Sequence, residues 1–224
     1  MINLLNCKLD NCSLLQSQKI ILPNPKIIFD VGMHHGKTTQ EYLEVFPDAY
    51  IYGFEAEHRN FLIGKKMLDG YQSRLTLTES AVSNICGKVQ LNINTHDGTH
   101  SILDIGKQQY WSGLVTTKKR EEVSSVTLDN YCNINDIKHI DILKMDIQGA
   151  ELEALKGAKK LLLKNKITMI VAEVEFRELY KTQPLYEDIA IYLRTYGYRL
   201  VGFYDSQHVG GVLSWADAIF LLGE

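Results

Sequence analysis

Apolar and polar positions alternate along most of the chain between a strand period and a helix period. Residues 26–31 form a short, nearly continuous apolar run closed by Gly32, the pattern of a strand buried on both faces. Residues 38–46 then set Tyr42, Leu43 and Phe46 at helical spacing, with Pro47 as a stop. Tyr50–Glu55 reads as a second strand, 60–68 as a helix, and 75–82 as a third strand after Gly70. Between about residues 84 and 127 the alternation breaks. Strand character at 89–93 and 124–128 flanks a polar loop holding Asp97, Gly98, His100 and Ser101. Regularity resumes with a strand at 141–147 and a helix at 150–163, whose Leu152, Leu155, Ala158 and Leu162 share one face. A strand at 169–174 and a helix at 185–196 follow, and strands at 198–204 and 215–222 close the chain as a hairpin around Gly210 and Gly211. Residues 1–25 are polar and end at Pro23 and Pro25; they read as an N-terminal extension or short helix packed on a domain spanning 26–224. Strand–helix alternation ending in a hairpin predicts a doubly wound, mostly parallel α/β sheet with one antiparallel strand.

Composition narrows the function classes. The 224 residues carry 24 Lys+Arg and 27 Asp+Glu, a net charge of −3, with 45% apolar residues. That apolar share supports a sizeable core and excludes a disordered chain. A slightly acidic balance disfavours nucleic acid as the main ligand, since phosphate binding needs clustered positive charge. Cys7, Cys12, Cys86 and Cys132 form no CxxC pair, so structural zinc on the cysteines is disfavoured and reduced, cytoplasmic thiols are expected. No apolar run approaches the ~20 residues that span a bilayer, and the first residues lack the pattern of a secretory signal.

The chemically informative stretch is DVGMHHGKTT, residues 30–39: a strand, a glycine turn and a helix start. Ligands of open α/β sheets bind beyond the carboxyl ends of the strands. Gly32 and Gly36 permit a sharp turn, and Glu55, closing the next strand, is placed to accept both hydroxyls of a ribose. The glycines read G-x-x-x-G, neither the G-x-G-x-x-G of dinucleotide folds nor a P-loop, and no G-x-S-x-G elbow of a serine hydrolase is present.

Five segments appear in order: DVGMHHG (30–36), FEA (54–56), VTLD (126–129), LKMDIQGAE (143–151) and LKGA (155–158), with DAIF (217–220) near the end. Together they resemble the FkbM family of S-adenosylmethionine (SAM)-dependent methyltransferases, from about residue 26 onward. The L-K-x-D-x-Q-G-A-E stretch is the most specific. One departure stands out: Met33 and His34 replace the Ala-Asn usual in the first motif. The resemblance implies a Rossmann-like, seven-stranded, mostly parallel sheet with an antiparallel C-terminal strand. It implies SAM as cofactor, held by Glu55 at the ribose, Asp30 and Gly32 at the amino-acid tail, and Ser80 and Ala81 along the adenine. It also implies an acceptor hydroxyl on a sugar, glycan or small natural product. Asp146 would stand at the methyl group as the first candidate for general base, ahead of His34, His35 and His100.

Other readings stay open. Asp146 is alternatively a cap of main-chain amides near Gly149 or a metal ligand of a cation-assisted enzyme, so no metal set is assigned; nor is an oligomeric state. Glu151 and Glu153 read as a solvated helix face. Glu173 and Glu175 form either a polar site wall or a solvated edge. Residues 118–122, KKREE, read as a solvated helix or loop. A different class, a binding or scaffolding protein on the same fold, is the main alternative to an enzyme. A nicotinamide-dependent oxidoreductase is disfavoured by the glycine spacing and the terminal hairpin. The irregular segment 84–127 is expected to shape the acceptor pocket.

Overall fold

Ile28, Phe29, Asp30 and Val31 are shielded almost completely from solvent, as expected of a strand covered on both faces. A computed structural model describes residues 9, 11–107 and 115–223 of the chain. Its elements run α1 (Leu14–Ile21), β1 (Ile27–Val31), α2 (Lys37–Val45), β2 (Tyr50–Glu55), α3 (His58–Met67), β3 (Leu75–Glu79), β4 (Ala81–Val82), β5 (Gly87–Asn94) and β6 (Thr117–Val126). After these come α4 (Leu128–Ile134), β7 (Ile140–Met145), α5 (Glu151–Lys156), α6 (Lys159–Leu163), β8 (Ile167–Glu175), α7 (Tyr186–Arg194), β9 (Tyr198–Val209) and β10 (Val212–Leu222).

Seven strands form one sheet in the order β3-β2-β1-β7-β8-β10-β9. All neighbours from β3 to β8 are parallel, and β10 runs antiparallel to both β8 and β9. The expected mostly parallel, doubly wound sheet with one reversed strand is therefore observed. The chain order reverses between β1 and β7, which opens a crevice above their carboxyl ends. Alternate residues of β1 feed two cores. Phe29 and Val31 pack with Phe54, Tyr131, Leu143 and Leu155 on one face. Ile28 packs with Tyr42, Leu43, Ile51, Met169 and Ile219 on the other.

Helix α1 starts at a capping box made by Ser13 and Gln16. It docks on the second core through Ile21, while buried Gln18 accepts a hydrogen bond from the Tyr42 hydroxyl at 2.9 Å. The beginning of the 1–25 extension, apart from residue 9, lies outside the described residues.

Three local expectations need correction. The strand expected at 75–82 divides at Ser80: β3 stays in the large sheet, whereas β4 joins a second sheet of order β4-β6-β5. The helix expected at 150–163 is two helices that break at Gly157, where a Cβ would stand 2.1 Å from the Ser83 carbonyl oxygen. Residues 118–122 belong to strand β6, not to a helix or loop. Their charges hid the period-2 signal, since most of these side chains are solvated in a small, projecting sheet. Residues 108–114 of the irregular segment lie outside the described residues.

Candidate active site

Three strand ends meet at one level. Val31 is paired with both Phe54 and Met145, so the next residues, Gly32, Glu55 and Asp146, stand side by side above the sheet. The N–H groups of Gly32 and Met33 both donate to the Phe54 carbonyl, at 3.0 and 2.9 Å, and Asp146 N–H donates to Val31 O at 3.0 Å. Gly32 has φ +82°, and a Cβ there would lie 1.9 Å from the Asp146 carbonyl oxygen. That glycine is demanded by the contact between two strand ends. Gly36, at φ +87°, is likewise demanded by packing, with Leu68 2.8 Å from its absent Cβ.

A cleft opens over these ends, bounded by Gly32, Glu55, Ser80, Ala81 and Asp146 together with apolar Phe54, Val82 and Ile147. Leu91, His100 and Ile102, from the irregular segment, close its outer side. Glu55 is oriented by the main chain: its Oε2 accepts from His34 N–H at 2.9 Å and its Oε1 from Glu57 N–H at 2.8 Å. Burial raises its pKa, and those amides oppose the rise. Each carboxylate oxygen keeps a further lone pair for a ligand hydroxyl. Ser80 donates its hydroxyl to Ala81 O at 2.9 Å.

Asp30 lies beneath the cleft, fully buried, and accepts a 2.6 Å hydrogen bond from Thr39 Oγ1. Lys144 Nζ stands between it and Asp146, at 3.4 and 3.5 Å, and also reaches Gly32 O at 3.4 Å. Burial alone would lower the Lys144 pKa, but Asp30 and Asp146 together raise it, so the ammonium stays charged. A cation interrupting the apolar run of β7 was the sequence signal for this pairing, and it went unread.

Asp146, 40% exposed, borders the cleft. Gln148, in the left-handed region at φ 56°, turns its carboxamide back toward it. The Gln148 Nε2 group donates to Asp146 Oδ1 at 3.1 Å and to Glu173 Oε2 at 2.9 Å, while its Oε1 accepts from the Tyr180 hydroxyl at 2.9 Å. Glu151, expected on a solvated face, is instead buried and accepts the Ile147 N–H at 2.8 Å. The helix turns this side chain under the strand end, and burial pushes its pKa up to about 7. Glu153 takes the half-exposed position and pairs with Lys156 at 2.6 Å. Of the two readings for Glu173 and Glu175, the solvated edge does not fit, since Glu175 is buried and Glu173 accepts from Gln148 Nε2, yet neither residue borders the cleft. Burial and Asp146 hold the Glu173 carboxyl well above its usual range, and burial with Glu151 pushes Glu175 up to about 8.

His34 and His35 stack at 3.7 Å between ring centroids at the mouth of the cleft. Both Nε2 atoms face Asp97 Oδ2, at 3.2 and 3.1 Å, and His100 Nε2 lies 3.6 Å from Asp97 Oδ1. Burial, then His35, lowers the His34 pKa against the pull of Asp97; burial lowers that of His100 in the same way. Gln148 and Lys144 lie in the family motif without a role assigned to them there, whereas the contacts of Asp97 and Tyr180 exist only once segments remote in sequence meet.

Asp146 also borders a second cleft, between α1 and the β9–β10 hairpin, with Gln18, Glu41, Lys144, Asp205 and Asp217 around it. Burial, then Asp146, pushes Asp217 up to about 6.

The sequence profile of the methyltransferase FkbM domain matches residues 30–200. The chain is 27% identical over 174 residues to the 2-O-methyltransferase NoeI of Sinorhizobium fredii, covering 72% of this chain and 68% of that protein. Similar folds include the magnesium protoporphyrin IX methyltransferase of Synechocystis PCC 6803, solved with bound SAM (10% identity, TM-score 0.51, 88% of this chain and 70% of that one). TrmK of M. capricolum, solved with S-adenosylhomocysteine, is a second (9% identity, TM-score 0.50, 89% and 63%). Among the described residues, no helix is long and apolar enough to cross a membrane.

Proposed function

The chain belongs to the FkbM methyltransferase family and is a SAM-dependent enzyme, and from that premise we propose that it methylates a hydroxyl on a sugar, a glycan or a small natural product. One observation carries this reading: Asp146 borders two clefts at once. The first combines apolar walls with the Glu55 carboxylate, an acceptor for ribose hydroxyls, and the tight turn at Gly32, a lining that fits an adenosine bearing an amino-acid tail. The second is rimmed by Glu41, Asp205 and Asp217, whose carboxylates suit the hydroxyls of a polyol. The 2-O-methyltransferase name of the curated relative supports a hydroxyl acceptor.

Bound SAM supplies an electrophilic methyl group. Glu55 holds the ribose hydroxyls, Ser80 and Ala81 flank the adenine, and the Gly32 main chain borders the amino-acid tail. Asp30 and Gly36 act one layer below, Asp30 through Lys144 and Gly36 by shaping the turn. Asp146 takes the acceptor proton, kept in orientation by the Gln148 amide; general-base catalysis of this kind is worth roughly 10²–10⁴-fold. His34 and His35 are the next candidates for the base. Residues 26–224 form the catalytic domain, and the helix of the 1–25 extension walls the second cleft. Nucleic acid is not the acceptor in this reading: basic side chains on the β5–β6 pair sit against acids, as in Arg120–Asp104 at 2.8 Å and Lys88–Glu122 at 3.4 Å. A cytoplasmic setting accords with the scattered cysteines of the sequence. The scaffolding and oxidoreductase alternatives are set aside by the family.

The test is incubation with methyl-labelled SAM and a panel of oligosaccharides, polyketide alcohols and RNA. Label on an acceptor oxygen of the first two supports the reading. Label on RNA alone contradicts it.

A further inference from the structure

The side chains of His34, His35, Asp97 and Asn60 converge beside the cofactor cleft, an arrangement that proton transfer to Asp146 does not require. His34 has φ 51°, a left-handed conformation uncommon for a residue with a side chain. It sends two consecutive imidazoles in the same direction, and the rings stack at 3.7 Å. Both Nε2 atoms then point at a single carboxylate oxygen, Asp97 Oδ2, at 3.2 and 3.1 Å. His35 Nε2 also lies 3.1 Å from Asn60 Oδ1. A single N–H cannot serve both oxygens well. A cation among them can accept every lone pair. Around a tetrahedral ion with bonds of about 2.0–2.2 Å, neighbouring donor atoms stand roughly 3.3 Å apart. The ligand atoms of His34, His35 and Asp97 all lie within 4.8 Å of one another, and turning the two stacked rings apart so that their Nε2 lone pairs converge would bring the set onto one ion.

His100 supports the set from behind. Its Nδ1 accepts the Asn94 N–H at 3.1 Å, which leaves the proton on Nε2, 3.6 Å from the second oxygen of Asp97. Shortened by a small turn of either side chain, this contact becomes the kind of hydrogen bond that orients a ligating carboxylate.

We propose that His34, His35, Asp97 and Asn60 bind one divalent first-row transition metal, which ties the loop carrying Asp97 to the glycine turn across the cleft mouth. Two imidazoles with two oxygens favour a zinc-like ion over magnesium or calcium, which select all-oxygen sets. The site stands on its own donors and does not depend on the acceptor.

The experiment is titration of chelator-treated, full-length protein with zinc chloride by calorimetry, and with cobalt chloride by visible absorption. The expected result is one equivalent bound, with the intense absorption of a four-coordinate cobalt site. The His34→Gln/His35→Gln double variant, verified as folded by circular dichroism, loses affinity tenfold or more. A His58→Gln control, whose histidine instead pairs with Glu79 at 2.8 Å, binds like wild type. Zinc should also slow amide hydrogen exchange in residues 95–101 of wild type only. No stoichiometric binding, or equal binding by the double variant, overturns the site and leaves a hydrogen-bonded latch. Binding without slowed exchange overturns the bridging role. SAM titration of the same metal-free sample reads out the cofactor assignment separately.

Discussion

Gln148 Nε2 lies 3.1 Å from Asp146 Oδ1 and 2.9 Å from Glu173 Oε2. The carboxylate assigned to catalysis is thus oriented by a residue two positions along the chain, whose amide also bridges to the neighbouring strand. Gly149, at φ +91°, allows the tight approach, since a Cβ there would meet the Gln183 side chain at 2.9 Å. Gln148→Glu removes both donated bonds and adds a third acid. Hydrogen bonds to charged groups are worth about 1.5–3 kcal/mol, so kcat should fall about tenfold or more while SAM affinity stays near wild type. Steady-state kinetics beside SAM calorimetry separates the two quantities. Loss of SAM binding with kcat unchanged would place Gln148 in the cofactor site instead.

Glu55→Gln tests the ribose assignment. The variant retains one carbonyl oxygen where two oxygens now accept main-chain amides, and it presents an N–H toward the cleft. SAM affinity should drop at least about tenfold, with an unchanged circular dichroism spectrum. Calorimetry showing undiminished affinity moves the ribose elsewhere.

Lys144→Met removes the cation between Asp30 and Asp146. Breaking one side of a buried pair costs about 3–5 kcal/mol, which for a chain of this size lowers Tm by roughly 10 °C. Adding Asp30→Asn should recover part of the loss. Calorimetric melting of both variants checks this, and a single variant as stable as wild type contradicts it.

The buried acids give stability a direction with pH. Glu151 and Glu175 have folded-state pKa values pushed up to about 7 and about 8, above the ~4.3 of an unfolded glutamate. Each favours the folded state fully below its unfolded pKa and loses that contribution as pH rises through the folded value. Tm should therefore fall between about pH 5 and pH 8 by several degrees. Glu175→Gln should flatten the upper part of that slope and melt higher than wild type at pH 8. Melting curves across this range decide the point.

How legible all this was in the sequence depends on range. β1 and β2 could be read because their apolar runs are bounded by Gly32 and Pro47, and the motif around Asp146 marked the end of β7. The apolar face shared by Leu152, Leu155, Ala158 and Leu162 runs across the break at Gly157, and the close approach of the Ser83 carbonyl to that glycine is remote in sequence. Strand β6 was hidden by its charges. At the site, Glu55 and Asp146 were accessible as acids closing apolar strands. Asp97 was noted only as part of a polar loop, because its partners His34 and His35 come from the turn after the central strand β1, remote in sequence. The burial of Glu151 was misjudged because helix position alone does not show which way a first-turn side chain tucks.

The central claim is that Asp146 serves the reaction and not the binding of SAM. Asp146→Asn keeps the side chain's shape and removes its charge, so the direct measurement is SAM affinity by calorimetry beside single-turnover methyl transfer to an identified hydroxyl acceptor. The account predicts affinity within about threefold of wild type and a methyl-transfer rate lower by about 10²-fold or more. Full methyl-transfer rate in the variant, or loss of SAM binding in proportion to loss of rate, would contradict it.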